Sequence, residues 1–287
     1  MGYILLSFVP ASVVLAVLEI WRRWQNLRGF RAPVSDKLLR APGESARKKI
    51  EALDDKITET LFLVIYVPSA LVIIFLAGKQ NGETFSRGCA ISLVLLAGMF
   101  VYLIERLIAL IKQQNFWRLG YSGERAVGEE LNRLMLEGCQ VFHDFPLNGA
   151  ANLDHIVVAP SGVYAIETKT RRKRESSPTQ KAHELIYDGT KLRFPTFCNT
   201  ESLVQSRNQA EQLGRLLGEA LKASVPVKPV LTFPGWYVIT KTPGDVIVLN
   251  PKMIDAAILE GGPGVLMAEQ IKQIALLLER KCRDVEF

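Results

Sequence analysis

The chain has 287 residues and a formal net charge of +6, with a mean hydropathy of +0.15. That length admits one sizeable domain plus appendages. The basic balance points to nucleic acid or anionic lipid as partners, and the hydropathy argues against a wholly soluble protein. Cys89, Cys139, Cys198 and Cys282 lie far apart and form no Cys-x-x-Cys pair. This argues against a zinc ribbon or a thioredoxin-type site and fits a reducing compartment.

Apolar runs cover residues 2–20, 61–78 and 89–111. A bilayer-spanning helix needs ~20 such residues, within a range of ~17–25, so three transmembrane helices are expected. Pro68 in the second run is no obstacle, because membrane helices tolerate proline. Glu105-Arg106 in the third run mark a helix leaving the hydrocarbon near Ile104 and continuing amphipathically to Lys112. No basic stretch precedes the first run, so it does not read as a cleaved signal. Trp21-Arg22-Arg23-Trp24 reads instead as an interfacial anchor.

Residues 21–60 carry ten Lys and Arg, whereas residues 79–88 carry only Lys79 and Arg87. The positive-inside rule then places the first loop in the cytoplasm, the N-terminus outside, and everything after Lys112 inside. The expected location is therefore the inner or cytoplasmic membrane, multi-pass, with a lipid bilayer as partner. The basic first loop would lie against anionic headgroups.

After residues 113–121, expected to be a linker, the pattern becomes mixed α/β. Ser122-Gly123-Glu124 reads as a helix start, with a serine cap and an acid in the first turn. Val127, Leu131, Leu134 and Met135 form its apolar stripe, and Gly138 ends it. Residues 140–147 read as a strand, Asn148-Gly149 as a hairpin turn, and residues 152–159 as the next strand. Pro160-Ser161-Gly162 is a tight turn before a third strand, 163–169. A polar insertion, 170–184, precedes a small hairpin at 185–187 and 191–194. A helix is expected over 201–221, with Leu203, Ala210, Leu213 and Leu217 inward. Strands follow at 227–233, 236–239 and 246–249, then a closing helix over 268–282. This order describes an α/β sandwich around a mixed sheet.

Chemistry concentrates on the second and third strands. Leu153-Asp154-His155-Ile156-Val157-Val158 opens with an acid, and Gly162-Val163-Tyr164-Ala165-Ile166-Glu167-Thr168-Lys169 ends in Glu-x-Lys. An unpaired charge out of water costs several kcal/mol, so an apolar strand rarely carries one without purpose. Residues i and i+2 of a strand share a face, which aligns Glu167 with Lys169. A hairpin through the tight turn brings Asp154 beside Glu167. Magnesium usually takes one or two carboxylates and completes its shell with water and phosphate oxygens. Asp154 and Glu167 fit that role for Mg2+ or Mn2+. Lys169 would orient the attacking water or stabilise charge on the pentacovalent phosphate. A salt-bridged pair at a sheet edge is the plainer reading of Glu-x-Lys alone.

These segments, with Gly123-Glu124-x-x-Val127 before them and Phe233-Pro234-Gly235-Trp236 after, resemble the NERD (nuclease-related) domain. That family belongs to the PD-(D/E)xK, restriction-endonuclease-like superfamily, and the resemblance covers roughly residues 122–236. It implies a restriction-endonuclease-like sandwich, with Asp154 and Glu167 as metal ligands and Lys169 as the catalytic lysine. It further implies Glu124 as an added first-helix metal ligand and Gln205 as the glutamine of the helix after the core strands. No proline directly precedes Asp154, a position where the superfamily varies. The implied organisation is an anchor at 1–112, the 113–121 linker, a nuclease core at 122–240 and a completing strand and helix at 241–287.

Other residues read more plainly. His155 alternates to the face opposite Asp154, as a packed or surface histidine. His143 and Asp144 suggest a second metal site that nothing nearby completes. Arg171-Arg172-Lys173-Arg174, extended by Lys181 and Arg207, would neutralise phosphates and give salt-sensitive binding, or else form a solvated loop. No P-loop, Gly-x-Gly-x-x-Gly or nucleophile elbow supports ATP-driven or acyl-transfer chemistry. The expected function is a membrane-anchored, metal-dependent nuclease, acting on DNA ahead of RNA. The alternatives are a non-catalytic nucleic-acid-binding module and a protein-assembly module.

Overall fold

The computed structural model describes residues 20, 21, 24, 37–80, 87–147, 152–173, 183–262 and 265–285. The chain divides into two compact units. The first comprises Met1–Asp36, Asp54–Lys112 and Glu286–Phe287, and the second Lys37–Leu53 and Gln113–Val285.

The elements run in the order β1 (Leu38–Leu39), α1 (Glu44–Gln80), α2 (Arg87–Arg133), β2 (Gln140–Pro146), β3 (Asn152–Ala159) and β4 (Gly162–Thr168). Then come β5 (Glu184–Tyr187), β6 (Leu192–Arg193), β7 (Cys198–Asn199), α3 (Glu201–Leu221), β8 (Val227–Thr232) and β9 (Tyr237–Thr240). The chain closes with β10 (Ile247–Leu249), the short α4 (Ile254–Leu259), α5 (Ala268–Cys282) and β11 (Arg283–Val285).

In the first unit, the described parts of α1 and α2 expose apolar side chains, including Leu63, Ile65, Val94, Leu95 and Val101. Where the sequence predicts three spanning helices, one stretch among the described residues, Val94–Glu137, is long and apolar enough to cross a membrane. Of the run 2–20 only Ile20 is described, and in the run 61–78 the side chains of residues 70, 71 and 73–78 lie outside the described set.

The second unit is a mixed α/β fold on a five-stranded sheet of order β10-β8-β4-β3-β2. The pairs β2–β3 and β3–β4 are antiparallel, whereas β4–β8 and β8–β10 are parallel. Parallel neighbours need a long crossover, and α3 lies in the one between β4 and β8. Its inward stripe of Leu203, Ala210, Leu213 and Leu217 is buried, as its helical spacing predicts. Leu213 and Leu217 pack with Ile274 and Leu278 of α5 against Ile156, Val158, Val163 and Ala165 of the sheet. On the other face, Val127 and Leu131 of α2 and Ile254 and Ile258 of α4 pack against Val157, Tyr164 and Ile166. A second sheet, β7-β6-β5-β9, has its own core around Leu185, Phe194, Phe233 and Trp236.

Several expectations need correction. Residues 113–121 are helix rather than linker, and Ser122 caps nothing. Helix α2 runs unbroken from Arg87 to Arg133, and the Ser122 hydroxyl donates back to the Leu119 carbonyl at 2.8 Å. Neither Gly120 nor Gly123 breaks it, since a lone helical glycine costs only ~1 kcal/mol. Met135 is exposed, because the last turn tightens to a 3-10 helix, Leu134–Glu137, before the left-handed Gly138. The turn expected at Asn148-Gly149 lies outside the described residues.

Residues 37–53, expected with the anchor, belong to the α/β unit. β1 pairs with β11, and Arg40 forks onto both carboxylate oxygens of Asp284 at 2.6 and 2.7 Å. Asp144 accepts the backbone N–H of Ser45 at 2.9 Å and its hydroxyl at 2.6 Å. A carboxylate there suits the positive end of helix α1.

Candidate active site

Strands β3 and β4 pair as far as His155↔Ile166. The same register carried one residue further sets Asp154 opposite Glu167, on the sheet face that meets α3. There the hairpin opens. β3 stays paired with β2 through Leu153↔Phe145 and Asn152↔Pro146, while β4 stays with β8 through Thr168↔Thr232. The Asp154 carboxylate takes the place of the missing ladder partner, accepting the Thr168 backbone N–H at 2.7 Å.

The separation gives a cavity of ≈ 400 Å³. Glu124, Asp144, Asp154, Glu167, Lys169 and Gln205 all line it. The Lys169 ammonium donates to Glu167 Oε1 at 2.6 Å and to Gln205 Oε1 at 2.8 Å. An ammonium has three donors, so one remains for the cavity. The Gln205 amide donates back to Glu167 Oε1 at 2.7 Å, closing a three-residue ring.

Gln209, one helical turn on, donates to Glu167 Oε2 at 2.7 Å and is buried. The sequence reading missed it; the signal was a second glutamine at i+4 from Gln205, between the inward-facing Leu203 and Ala210.

Glu124 reaches the cavity because α2 passes close to the end of β4. A Cβ on Gly123 would fall 1.7 Å from the Thr170 hydroxyl oxygen, so the helix approaches only with glycine there. Gly43, left-handed at φ +75, similarly admits Tyr121, whose ring would lie 2.6 Å from an added Cβ.

The electrostatics are acidic and undercompensated. Burial first, then Asp144 and Glu167 alongside, push the Glu124 carboxyl up to about 7. Burial, then Glu167 and Glu124, hold the Asp154 carboxyl well above its usual range. Among the described residues no three His, Cys, Asp or Glu side chains converge into a metal-holding group. A magnesium shell needs only one or two carboxylates, and these crowded acids would be relieved by a divalent cation. Asp154, Glu167 and Glu124 are the carboxylates that would be available to such an ion, although both Glu167 oxygens already accept protein donors.

His143 and Asp144 do not form a second metal site. His143 lies opposite His155 on the other sheet face, with Nδ1 to Nδ1 at 2.9 Å. His143 Nε2 meets Asn132 Oδ1 at 3.1 Å. An amide oxygen only accepts, so His143 carries its proton on Nε2 and accepts from His155 Nδ1–H. That leaves His155 Nε2 buried without a partner. Burial pulls His143 down to about 4 and His155 well below its usual range. Asp144, left-handed at φ 50, caps helix α1 and accepts from Arg40.

Of the expected phosphate-binding residues, Arg171 lines the cavity and Arg172 and Lys173 are exposed beside it in sequence. Arg174 and Lys181 lie outside the described residues. Arg207 is forked onto Asp245 and does not line the cavity.

Residues 119–234 match the family model of the nuclease-related domain, NERD. The matched segment contains Glu124, Asp154, Glu167, Lys169, Gln205 and Gln209, so a nuclease-related function is the coarse reading. No curated protein matches the chain. Among solved structures, the chain is similar to Pyrococcus furiosus SfsA in complex with Ca2+ at 19% identity and a TM-score of 0.21. The likeness covers 56% of this chain and 53% of that one, so this chain spans about half the length of that relative. A score that low bears on neither fold nor function.

Proposed function

We propose that the chain is a membrane-anchored, divalent-metal-dependent nuclease whose NERD segment, of restriction-endonuclease-like fold, hydrolyses nucleic-acid phosphodiesters on the cytoplasmic side. The observation that carries this reading is the Lys169–Glu167–Gln205 ring beside Asp154 and Glu124 in one open cavity. A bound magnesium ion would supply Lewis-acid stabilisation of phosphate charge.

Asp154 and Glu167 would hold that ion. Gln205 and Gln209 fix the Glu167 carboxylate, and the remaining Lys169 N–H points its charge at the phosphate or the incoming water. Glu124, which lines the same cavity, is placed to take the proton of the attacking water. The water oxygen bonds to phosphorus, one P–O ester bond breaks, and the leaving oxygen takes a proton from solvent. Anchoring rests on the exposed apolar stretch that begins at Val94, because large exposed apolar surfaces mark interaction sites. DNA is the expected substrate, with RNA the comparison.

A second reading, a non-catalytic nucleic-acid-binding or assembly module, draws support from the protein donors that already occupy both oxygens of Glu167. The test is to incubate the purified full chain with single- and double-stranded DNA and RNA, with Mg2+, with Mn2+ and with chelator. Metal-dependent cleavage lost in Lys169→Ala supports the nuclease. Binding without cleavage under every metal supports the module.

A further inference from the structure

The acidic cavity has an aromatic wall that the reaction does not use. Phe116 and Trp117 of α2 and Lys49 of α1 line it together with Arg171. Phe116 is 68% exposed and meets Trp117 edge-on, with ring centroids 5.9 Å apart. The Lys49 ammonium sits 4.0 Å from the Trp117 ring centroid. Outside the cavity lining, Phe197 is exposed with its ring 5.9 Å from the Arg171 guanidinium carbon, and it stacks on Phe194 at 4.5 Å. Cations and aromatic rings from α1, α2 and the segment after β4 therefore line the cavity beside the carboxylates.

We infer that this wall takes an unpaired strand of nucleic acid, with a base stacked on Phe116 and flanking phosphates held by Lys49 and Arg171. The inference rests on the reading that the cavity handles nucleic acid, and it names the substrate class as single-stranded. In a duplex the base faces are already stacked on each other, so an exposed ring gains only from a base released from its pair. Aromatic stacking of bases together with a basic track along the backbone is the chemistry of strand binding without sequence preference. Aromatic and basic groups near an apolar helix would also suit lipid headgroups. The strand is favoured because these side chains line the same cavity as Glu124, Asp154, Glu167 and Lys169.

The experiment measures fluorescence anisotropy of a labelled mixed-sequence oligonucleotide, single-stranded or annealed, with the full chain in detergent and chelator present. The single strand should bind about tenfold more tightly than the duplex or better. Base–aromatic stacking is worth ~1–3 kcal/mol, so Phe116→Ala should weaken single-strand binding about 5- to 140-fold, while Phe116→Tyr keeps it. Equal or tighter duplex binding, no binding of either form, or an unchanged Phe116→Ala variant overturns the inference. So does a Phe116→Ala variant that loses only its affinity for phosphatidylglycerol vesicles. Because binding is read without metal, a failure of cleavage ends the nuclease reading and leaves this one standing. Cleavage that is indifferent to Phe116 and to strandedness does the reverse.

Discussion

Asp154 and His155 are neighbours on one strand, each faces a buried ionisable partner, and the two faces behave in opposite ways. On the His155 face, two buried imidazoles share one hydrogen bond, leave His155 Nε2 without a partner and stay neutral. On the Asp154 face, Glu124, Asp154, Glu167 and Lys169 line one cavity where two strands part. Burial alone therefore does not mark function. What distinguishes the acidic face is charge left undercompensated beside open space, with glutamines spent on orienting one carboxylate.

Substitutions should separate the faces. Asp154→Asn or Glu167→Gln should lower metal-dependent cleavage by ~10²–10³, the usual cost of losing one preorganised electrostatic group, as read in single-turnover assays. Equal loss from His155→Phe would erase the distinction. That variant should instead destabilise the fold by ~1–3 kcal/mol, because His143 Nδ1 loses its donor, with the rate constant of cleavage kept. Denaturant melts check the first part and the same cleavage assay the second.

The faces should also answer pH with opposite signs. Glu124 holds its proton up to about 7 in the fold against an ordinary 4.5, so the native state binds more protons across that window. Stability should then fall as pH rises from 4.5 through 7, and Glu124→Gln should flatten the fall. His143 is held down to about 4 against an ordinary 6.5. Its contribution is present above pH 6.5 and lost as pH falls towards 4. Adding Mg2+ should raise Tm at pH 8 and change it little at pH 4.5. A Tm indifferent to metal at pH 8 would remove the electrostatic case for an ion.

The smallest expected effect is at the rim. Arg172→Ala should weaken single-strand binding uniformly across sequences and lower the log–log salt slope by ~0.7. An unchanged slope would make Arg172 a solvated loop residue.

Local pattern made the β3–β4 hairpin legible, since its turn and alternation lie within about twenty residues. Helix α3 was legible too, because its apolar spacing is regular from Leu203 to Leu217. The path of residues 37–53 was not. Their place depends on Arg40 meeting Asp284 and Ser45 meeting Asp144, contacts that no window of sequence contains. The start assigned at Ser122 failed because a serine before a glycine and an acid resembles a cap whether or not the helix has already begun. Arg207 looked like part of a basic track until its partner, Asp245, came from a distant loop. The Lys169–Glu167 pairing followed from strand alternation, whereas the Gln209 contact needed α3 to be set against β4.

In the proposed mechanism the Asp154 face performs phosphodiester chemistry and the His155 face only supports it. The most direct measurement is single-turnover cleavage of one labelled single strand by the full chain with Mg2+, comparing wild type, Glu167→Gln and His155→Phe side by side. Wild type and His155→Phe should cleave at similar rates, with Glu167→Gln slower by ~10² or more. No cleavage by wild type, or equal rates in wild type and Glu167→Gln, would contradict it.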